Sequence, residues 1–230
     1  MRLTIVGCSG SVPGPDSPSS CYLVEHDGYR VLLDLGHGAF GALQRHLDPA
    51  LVDAVLLSHL HADHWADLKA LDVWRHYGPG DPTRPFAVHA PGGGYVDGAT
   101  TWEPVQEIGP FRVVTARVEH PVEAYALRLE AGGSSLTYSG DTAICEALDD
   151  LAAGAGVLLA EATYVDGRDN PPRLHLTGRE AGETAQRAGV GRLVVTHVPP
   201  WESWEHAVAE AATSFTGPVL QAAPGLVLEV

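Results

Sequence analysis

Short apolar runs alternate along the chain with stretches rich in glycine, proline and polar residues, and the period of each run predicts its element. Alternating or continuous apolar runs predict strands at 2–7, 21–25, 29–35, 52–57, 86–89, 111–119, 125–130, 135–139, 157–160 and 192–196, with edge strands at 219–220 and 226–230. Apolar residues at helical spacing predict helices at about 40–48, 146–152, 178–188 and 203–215. A further helix is expected to open within residues 59–64 and to run to about 76.

The order of these elements indicates the fold class. The strands first follow one another and then alternate with helices, and no repeat period is visible, which predicts a mixed sheet covered by helices. No segment reads as a linker, so we expect residues 1–230 to form a single domain, long enough to bury a sizeable core.

Composition narrows the classes of partner. An apolar content of 45% and a charged content of 19% are ordinary for a globular protein. The net charge of −15, with only 14 basic residues, repels a long polyanion, so extended nucleic acid is not an expected partner. No apolar run is long enough to span a bilayer, and the N-terminal run is broken too early for a signal peptide, so we expect a cytoplasmic protein. Three widely spaced cysteines indicate free thiols.

Four potential metal ligands lie directly after the apolar run 52–57, where His59, His61, Asp63 and His64 fall within six residues. Successive side chains of a strand point to opposite faces, so a strand cannot direct four ligands at one ion. A turn at Ala62 would let the first two face one point while the last two open a helix and face another. Imidazole and carboxylate are ligands for Zn²⁺ and similar ions. The motif predicts two adjacent metal ions; the alternative is a histidine-rich surface loop.

Further candidate ligands stand at the ends of predicted strands, namely His120, Asp141 and His197. Taken singly, a histidine at a strand end is more often a surface residue. Together with the motif these residues make seven nitrogen and oxygen ligands. That number fills two sites and leaves room for a bridging water, as a hydrolytic two-metal centre requires.

With these residues, nearly the whole chain resembles the metallo-β-lactamase superfamily. Three further segments resemble its phosphodiesterase branch, which includes the tRNA 3′-processing endonuclease ribonuclease Z: residues 7–13 (GCSGSVP), 161–163 (EAT) and 175–177 (HLT). Among these groups the chain resembles most closely the actinobacterial cyclic-nucleotide phosphodiesterases, through residues 14–18 (GPDSP), 42–46 (ALQRH) and 196–201 (THVPPW).

The resemblance implies a four-layer αββα sandwich with two metal ions at one edge of the sheets. It assigns His59, His61 and His120 to one ion and Asp63, His64 and His197 to the other, with Asp141 bridging both. Zn²⁺ is the expected metal, with Mn²⁺ and Fe as alternatives, because ligands of this kind accept all three.

Cleavage of a phosphodiester also requires a proton for the departing alkoxide. His175 is suited to that role because its unperturbed pKa lies near neutrality, and Glu161 matches the acidic partner of the family. With Asp63 of the metal centre they form the expected catalytic set, and Asp34 is expected to orient a ligand from behind. The alternatives are that His175 pairs only with Glu180 or the backbone, and that Glu161 is structural.

The leading hypothesis is therefore a metal-dependent phosphodiesterase for a small anionic phosphodiester, with 3′,5′-cyclic nucleotides such as cyclic AMP first. A ribonuclease Z-like endonuclease is the alternative, but ribonuclease Z enzymes carry a long basic arm, and only 33 residues separate Asp141 from His175 here. A non-catalytic metal-binding module is a third hypothesis. Candidate cleft residues are Trp65, His37, Tyr164 and Trp201. The sequence leaves the oligomeric state open; members of the family often dimerise, and for a homodimer Trp201 and Trp204 are the candidate interface residues.

Overall fold

The computed structural model of the protein describes residues 1–92, 96 and 98–230. The strands are β1 (Arg2–Gly7), β2 (Cys21–His26), β3 (Tyr29–Leu33), β4 (Ala54–Leu56), β5 (Ala87–Ala90), β6 (Thr100–Thr101), β7 (Val105–Ile108), β8 (Phe111–Arg117), β9 (Tyr125–Ala131), β10 (Ser134–Tyr138), β11 (Val157–Glu161), β12 (Leu193–Thr196), β13 (Val219–Gln221) and β14 (Val227–Glu229). The helices are α1 (Ala39–Leu43), α2 (Ala62–Trp65), α3 (Leu68–Tyr77), α4 (Glu146–Ala152), α5 (Gly178–Ala188) and α6 (Trp204–Ser214), with a 3-10 helix at Pro49–Leu51.

These strands form two mixed sheets of similar design. The first has the order β14-β1-β2-β3-β4-β5-β6 and the second the order β13-β12-β11-β10-β9-β8-β7. In each sheet three consecutive strand pairs are antiparallel and the next three are parallel. Parallel strands need crossover connections, and helices supply them on the outer faces between β3 and β4, between β4 and β5, and along the run from β10 to β13.

Three apolar clusters show how the layers pack. The cluster between the sheets contains fully buried side chains from both, among them Leu3, Leu33, Leu56, Phe111, Leu129 and Leu159. Helices α1 and α3 cover the outer face of the first sheet, and α4, α5 and α6 cover that of the second. Each large aliphatic side chain buried in this way contributes about 1.5–3 kcal/mol. The order of layers is helix, sheet, sheet, helix, and the expected αββα sandwich is confirmed.

Two tyrosines connect the central core to the polar edge. The rings of Tyr22 and Tyr138 lie 5.1 Å apart between the sheets. The hydroxyl of Tyr22 lies 2.8 Å from Oγ1 of Thr196, and the hydroxyl of Tyr138 donates to Oδ2 of Asp34 at 2.7 Å. Because both rings are buried on all sides, these hydroxyls fix the relative position of the two sheets where the strands end.

The structure differs from the sequence prediction in a few elements. The helix expected from the 59–64 motif to residue 76 is two helices, α2 and α3. At the break between them the amide of Asp67 donates a hydrogen bond to the carbonyl of Leu35 instead of continuing the helix. The short strands β6 and β7 were not predicted, since they lack a clear apolar alternation. Within the segment 90–101, residues 93–95 and 97 lie outside the described part of the chain. Cys8 and Cys21 are buried free thiols, as predicted. None of the helices in the described part of the chain is both long and apolar enough to cross a membrane.

Candidate metal centre

The carboxyl ends of the parallel strands from both sheets meet at one edge of the sandwich. This is where open α/β sheets place their ligand sites. The chain turns sharply as it leaves the sheets there: Asp34 after β3 has φ 57°, Gly140 after β10 has φ 57°, and His197 after β12 has φ 55°. A positive φ costs a residue with a side chain about 1–3 kcal/mol, so its presence at Asp34 and His197 marks positions that the surroundings hold in place.

The motif itself turns where the sequence indicated. His59 lies in the segment after β4 and is fully buried. His61 is the N-cap of α2 with an extended backbone, φ −75° and ψ 143°, and the helix begins at Ala62. Asp63 and His64 therefore project from the first turn of a helix, while His59 and His61 project from extended chain.

His59, His61 and His120 direct their ring nitrogens at one point. Nδ1 of His61 lies 3.1 Å from Nε2 of His59 and 3.1 Å from Nε2 of His120. Ligand nitrogens on one tetrahedral Zn²⁺ lie about 3.3 Å apart, given a Zn–N bond of about 2.05 Å. The ligand atoms of these three residues and of Asp141 all lie within 4.8 Å of one another. The spacing fits a single ion.

A second group stands beside the first. Nε2 of His64 and Nε2 of His197 are 3.1 Å apart, and Nε2 of His197 is 3.2 Å from Oδ2 of Asp63. Their ligand atoms and those of Asp141 again lie within 4.8 Å of one another. Thus four residues from α2 and two strand ends form a second metal-sized cluster.

Asp141 belongs to both groups. Its Oδ1 is 3.2 Å from Nε2 of His64 and 3.4 Å from Nε2 of His197, while its Oδ2 is 3.6 Å from Nε2 of His59. Oδ1 is buried and has no hydrogen-bond partner. A buried carboxylate oxygen in that state is costly unless it binds a cation. The His/Asp cluster is therefore suited to a divalent metal.

Partners behind the cluster set the tautomer of its histidines. Nδ1 of His64 donates to Oδ2 of Asp34 at 2.7 Å, and Nδ1 of His120 donates to the carbonyl of Leu174 at 2.9 Å. Nδ1 of His197 donates to Oγ1 of Thr163 at 2.9 Å, whose own proton goes to the His197 carbonyl. In each case Nε2 is the nitrogen that faces the cluster. Such partners are the usual support of metal-binding histidines.

Charges within the cluster also favour a cation. Burial lowers the pKa of His59, His61 and His120, so all three are neutral at pH 7 and have lone pairs available. Burial would raise the pKa of Asp141, but the imidazoles of His197 and His64 outweigh it and hold that pKa well below its usual range. Asp141 and Asp34 in turn raise the pKa of His64 well above its usual value. The Asp141 carboxylate is ionised, as a ligand must be.

His175 lies beside this cluster and is paired with Glu161. Nδ1 of His175 donates to Oε1 of Glu161 at 2.9 Å. Glu161 is fully buried, and the amides of Thr142 and Thr163 also donate to it. Burial lowers the pKa of His175, yet the Glu161 carboxylate more than compensates and raises it to about 9. Glu180, the alternative partner, instead closes a capping box on Thr177 at the start of α5.

Two glycines allow the backbone to close around the His/Asp cluster. A Cβ at Gly36 would lie 1.8 Å from the carbonyl oxygen of Asp63, and a Cβ at Gly10 would lie 2.4 Å from that of His197. The first approach seats the motif helix on the end of β3, and the second seats the N-terminal loop on the end of β12. Only glycine permits either approach.

A cleft of about 370 Å³ opens next to His175. Tyr164 and Trp201, two of the candidate cleft residues, both line it. Trp65 instead lines a different cavity and donates to the carbonyl of Leu60, and His37 is exposed. Trp204 is partly buried and packs against the cores on either side of the second sheet.

Several residues that shape the site were not predicted. Thr163 holds the side chain of His197, Ser58 and Tyr138 hold that of Asp34, and the carbonyl of Leu174 holds that of His120. Only Thr163 carried a signal, because it follows Glu161 by two residues within the segment 161–163 (EAT). The others act through contacts between residues remote in sequence.

Known proteins are similar to this chain over most of its length. The family model described as β-lactamase superfamily domain matches residues 29–198. The uncharacterized protein ML1173 of Mycobacterium leprae (strain TN) is 46% identical over 246 residues, covering 95% of this chain and 85% of that protein. Ribonuclease Z of Mycobacterium bovis (strain BCG / Pasteur 1173P2) is 32% identical over 268 residues, covering 94% of each.

A solved structure extends the likeness to three dimensions. The probable metallo-hydrolase YhfI of Bacillus subtilis (strain 168) is 30% identical over 243 residues, covering 100% of both chains. The crystal structure of YhfI, a metallo-β-lactamase fold protein, superimposes with a TM-score of 0.93 at 27% identity, covering 100% of this chain and 99% of that one. The similarity therefore includes both sheets and the helices outside them.

Proposed function

The chain belongs to the β-lactamase superfamily and has the fold of its metal-dependent hydrolases, and on this premise we propose that it is a phosphodiesterase for small phosphodiesters. Cyclic 3′,5′-nucleotides such as cyclic AMP are the proposed substrates. The observation that carries the proposal is the pair of His175 and Glu161 beside the His/Asp cluster, because a proton donor placed there is what an alkoxide leaving group requires.

The His/Asp cluster is proposed to hold two ions. His59, His61 and His120 would bind one, Asp63, His64 and His197 the other, and Asp141 both. The unpartnered Oδ1 of Asp141 and the 3.1 Å spacing of ring nitrogens support this division. Such ions supply Lewis acidity, which activates water and neutralises the charge of a phosphate. Zn²⁺ is the proposed metal, with Mn²⁺ and Fe as alternatives. Because both sheets contribute ligands, residues 1–230 are proposed to act as one hydrolase domain.

The protein's own side chains then divide the work. Glu161 holds Nδ1 of His175, so that Nε2 is the nitrogen available to carry a proton to the substrate. The oxygen of water bonds to phosphorus and releases a proton to solvent, the bond from phosphorus to O3′ breaks, and O3′ takes the proton of His175, which then regains a proton from solvent. A 3′,5′-cyclic nucleotide thus yields the 5′-monophosphate. Asp63 is proposed to orient the water as well as to bind metal.

Charge and cysteine state support the remaining parts of the proposal. The net charge of −15 disfavours a long nucleic acid and leaves a small anion as the proposed partner. Buried free Cys8 and Cys21 fit a reducing compartment, so we place the protein in the cytoplasm. A homodimer is proposed because members of the family often dimerise, and light scattering with Zn²⁺ present measures the oligomeric state.

The test uses purified protein loaded with Zn²⁺ or Mn²⁺. It should hydrolyse cyclic AMP or a chromogenic phosphodiester, and His175→Ala should slow turnover by about 10²-fold or more while metal content stays the same. His76→Ala is the control, because His76 is an exposed histidine on α3 whose side chain contacts Asp72 and Tyr77. Fully metallated protein that cleaves neither substrate would refute the proposal.

A ribonuclease Z-like activity is the second candidate. Its support is the 32% identity to ribonuclease Z of Mycobacterium bovis over 94% of both chains. The net charge and the short connection between Asp141 and His175 count against it. Incubation with a precursor tRNA, followed by sizing of the 3′ end, decides between the two.

A further inference from the structure

The cleft beside His175 contains side chains that metal binding and proton transfer do not use. Its walls are the loop 164–174 and the turn 199–202. Arg168 from the loop donates to Oε1 of Glu202 from the turn at 2.7 Å. This pair ties the two walls together.

Trp201 is the most unusual of these side chains. It is 65% exposed, although it lies only four residues after His197. The turn that carries it is ordered, since the amide of Glu202 donates to the carbonyl of Pro199 at 2.9 Å. A large aromatic ring held out to solvent on a fixed turn exposes apolar surface that a ligand could cover.

The rest of the cleft combines an aromatic ring with polar groups. Tyr164 packs edge-on against His175 with ring centroids 5.1 Å apart. The side-chain amide of Asn170 donates to the carbonyl of Val165, which leaves its oxygen as an acceptor, and the Arg168 side chain is 58% exposed. Stacking surfaces with nearby donors and acceptors are what proteins use to bind unpaired bases.

We propose that this cleft is the leaving-group subsite and that it takes one nucleoside, with the base stacked on Trp201. The inference rests on the proposed function. His175 protonates the departing oxygen, so whatever is attached to that oxygen occupies the space next to His175. In a 3′,5′-cyclic nucleotide that oxygen is O3′ of the ribose. A volume of about 370 Å³ is the size of a small-molecule site and holds one nucleoside rather than a polynucleotide.

Binding measurements test the subsite without relying on turnover. Calorimetry with Zn²⁺-loaded protein compares AMP with ribose 5-phosphate, which differs only in lacking the base. AMP should bind more tightly, and Trp201→Ala should weaken AMP by about 5- to 100-fold, the usual effect of losing a stacked base, while changing ribose 5-phosphate less than about 2-fold. Trp201→Phe should retain most of the preference. Tyr77→Ala, which removes an 86% exposed ring on α3, is the control.

Equal affinities for the two ligands, or an AMP preference that survives Trp201→Ala, would overturn the inference. So would a Trp201→Ala protein that loses a dimer by light scattering and keeps its AMP preference, because Trp201 would then be an interface residue.

Kinetics separate this inference from the proposed function. Cyclic AMP is compared with the 3′,5′-cyclic phosphate of methyl riboside, which has the same scissile bond and no base. Trp201→Ala should raise KM for cyclic AMP and leave that for the riboside unchanged. If neither is cleaved but AMP binding depends on Trp201, the subsite stands and the proposed activity fails. If both are cleaved and Trp201→Ala affects them equally, the activity stands and the subsite fails.

Discussion

Asp34 is a buried carboxylate that supports the metal cluster without facing it. Oδ1 accepts the amide of Ser58 at 2.7 Å, and Oδ2 accepts the hydroxyls of Ser58 and Tyr138 and the Nδ1 proton of His64. Every one of these partners is a donor. In Asp34→Asn one of the two oxygens becomes an NH₂ group, so whichever way the amide lies, two donors face each other.

The size of the effect of Asp34→Asn depends on which of the two oxygens is replaced. If the new NH₂ group faces the single donor at Oδ1, one backbone amide is left unsatisfied, which costs about 1–3 kcal/mol. If it faces the three donors at Oδ2, the His64 ring loses its acceptor and no longer holds its tautomer. Loss of such a partner typically weakens metal binding by about 10- to 100-fold. We expect Asp34→Asn to lower the free energy of unfolding by about 1–3 kcal/mol and Zn²⁺ affinity by at least about 10-fold.

The assay titrates apo protein with Zn²⁺ against a chromophoric chelator, alongside urea unfolding of the same samples. Tyr138→Phe, which removes one donor and no charge, should weaken binding by less than Asp34→Asn. Asp53→Asn is the matched control, because Asp53 accepts from the amide of Arg30 and the guanidinium of Arg84, away from the cluster. It should lower stability and leave Zn²⁺ affinity unchanged. An Asp34→Asn protein that binds Zn²⁺ as tightly as the parent refutes the reasoning.

Further predictions concern the acid, the backbone and the metal. Glu161 raises the pKa of His175 to about 9, so the acid form of His175 persists up to that pH and is lost above it. Glu161→Gln should therefore move the alkaline limb of the kcat/KM profile to lower pH. A limb that does not move would belong to another group. Gly36→Ala would place Cβ 1.8 Å from the Asp63 carbonyl oxygen, so it should lower the free energy of unfolding by about 3 kcal/mol or more and cause loss of metal. Urea unfolding and metal analysis measure the two effects. Gly41→Ala is the control, because its Cβ would meet nothing within 4 Å and stability should not fall. Chelation should abolish activity, and Zn²⁺ at about 100 times Kd should raise Tm by about 5–10 °C per site, since it binds only the folded cluster; a Tm that ignores Zn²⁺ contradicts the assignment.

Most of the architecture could be predicted because it rests on local periodicity. Strands such as β11 and β12 are continuous apolar runs. Helix α5 begins at a capping box formed by Thr177 and Glu180, which stand three residues apart in the sequence. Elements without such signals were missed. The break between α2 and α3 depends on a hydrogen bond from Asp67 to Leu35, which no local pattern encodes.

The sequence by itself determined the chemistry of the site: which side chains can bind metal, that they follow strand ends, and that the motif turns at Ala62. These are properties of residue type and of spacing over a few positions. Tertiary structure alone decided what each group contacts. His175 meets Glu161 rather than Glu180, and Asp34 meets Tyr138, a residue 104 positions away. Such contacts depend on how two sheets pack face to face, and the free energy of that packing is spread over the whole core between them.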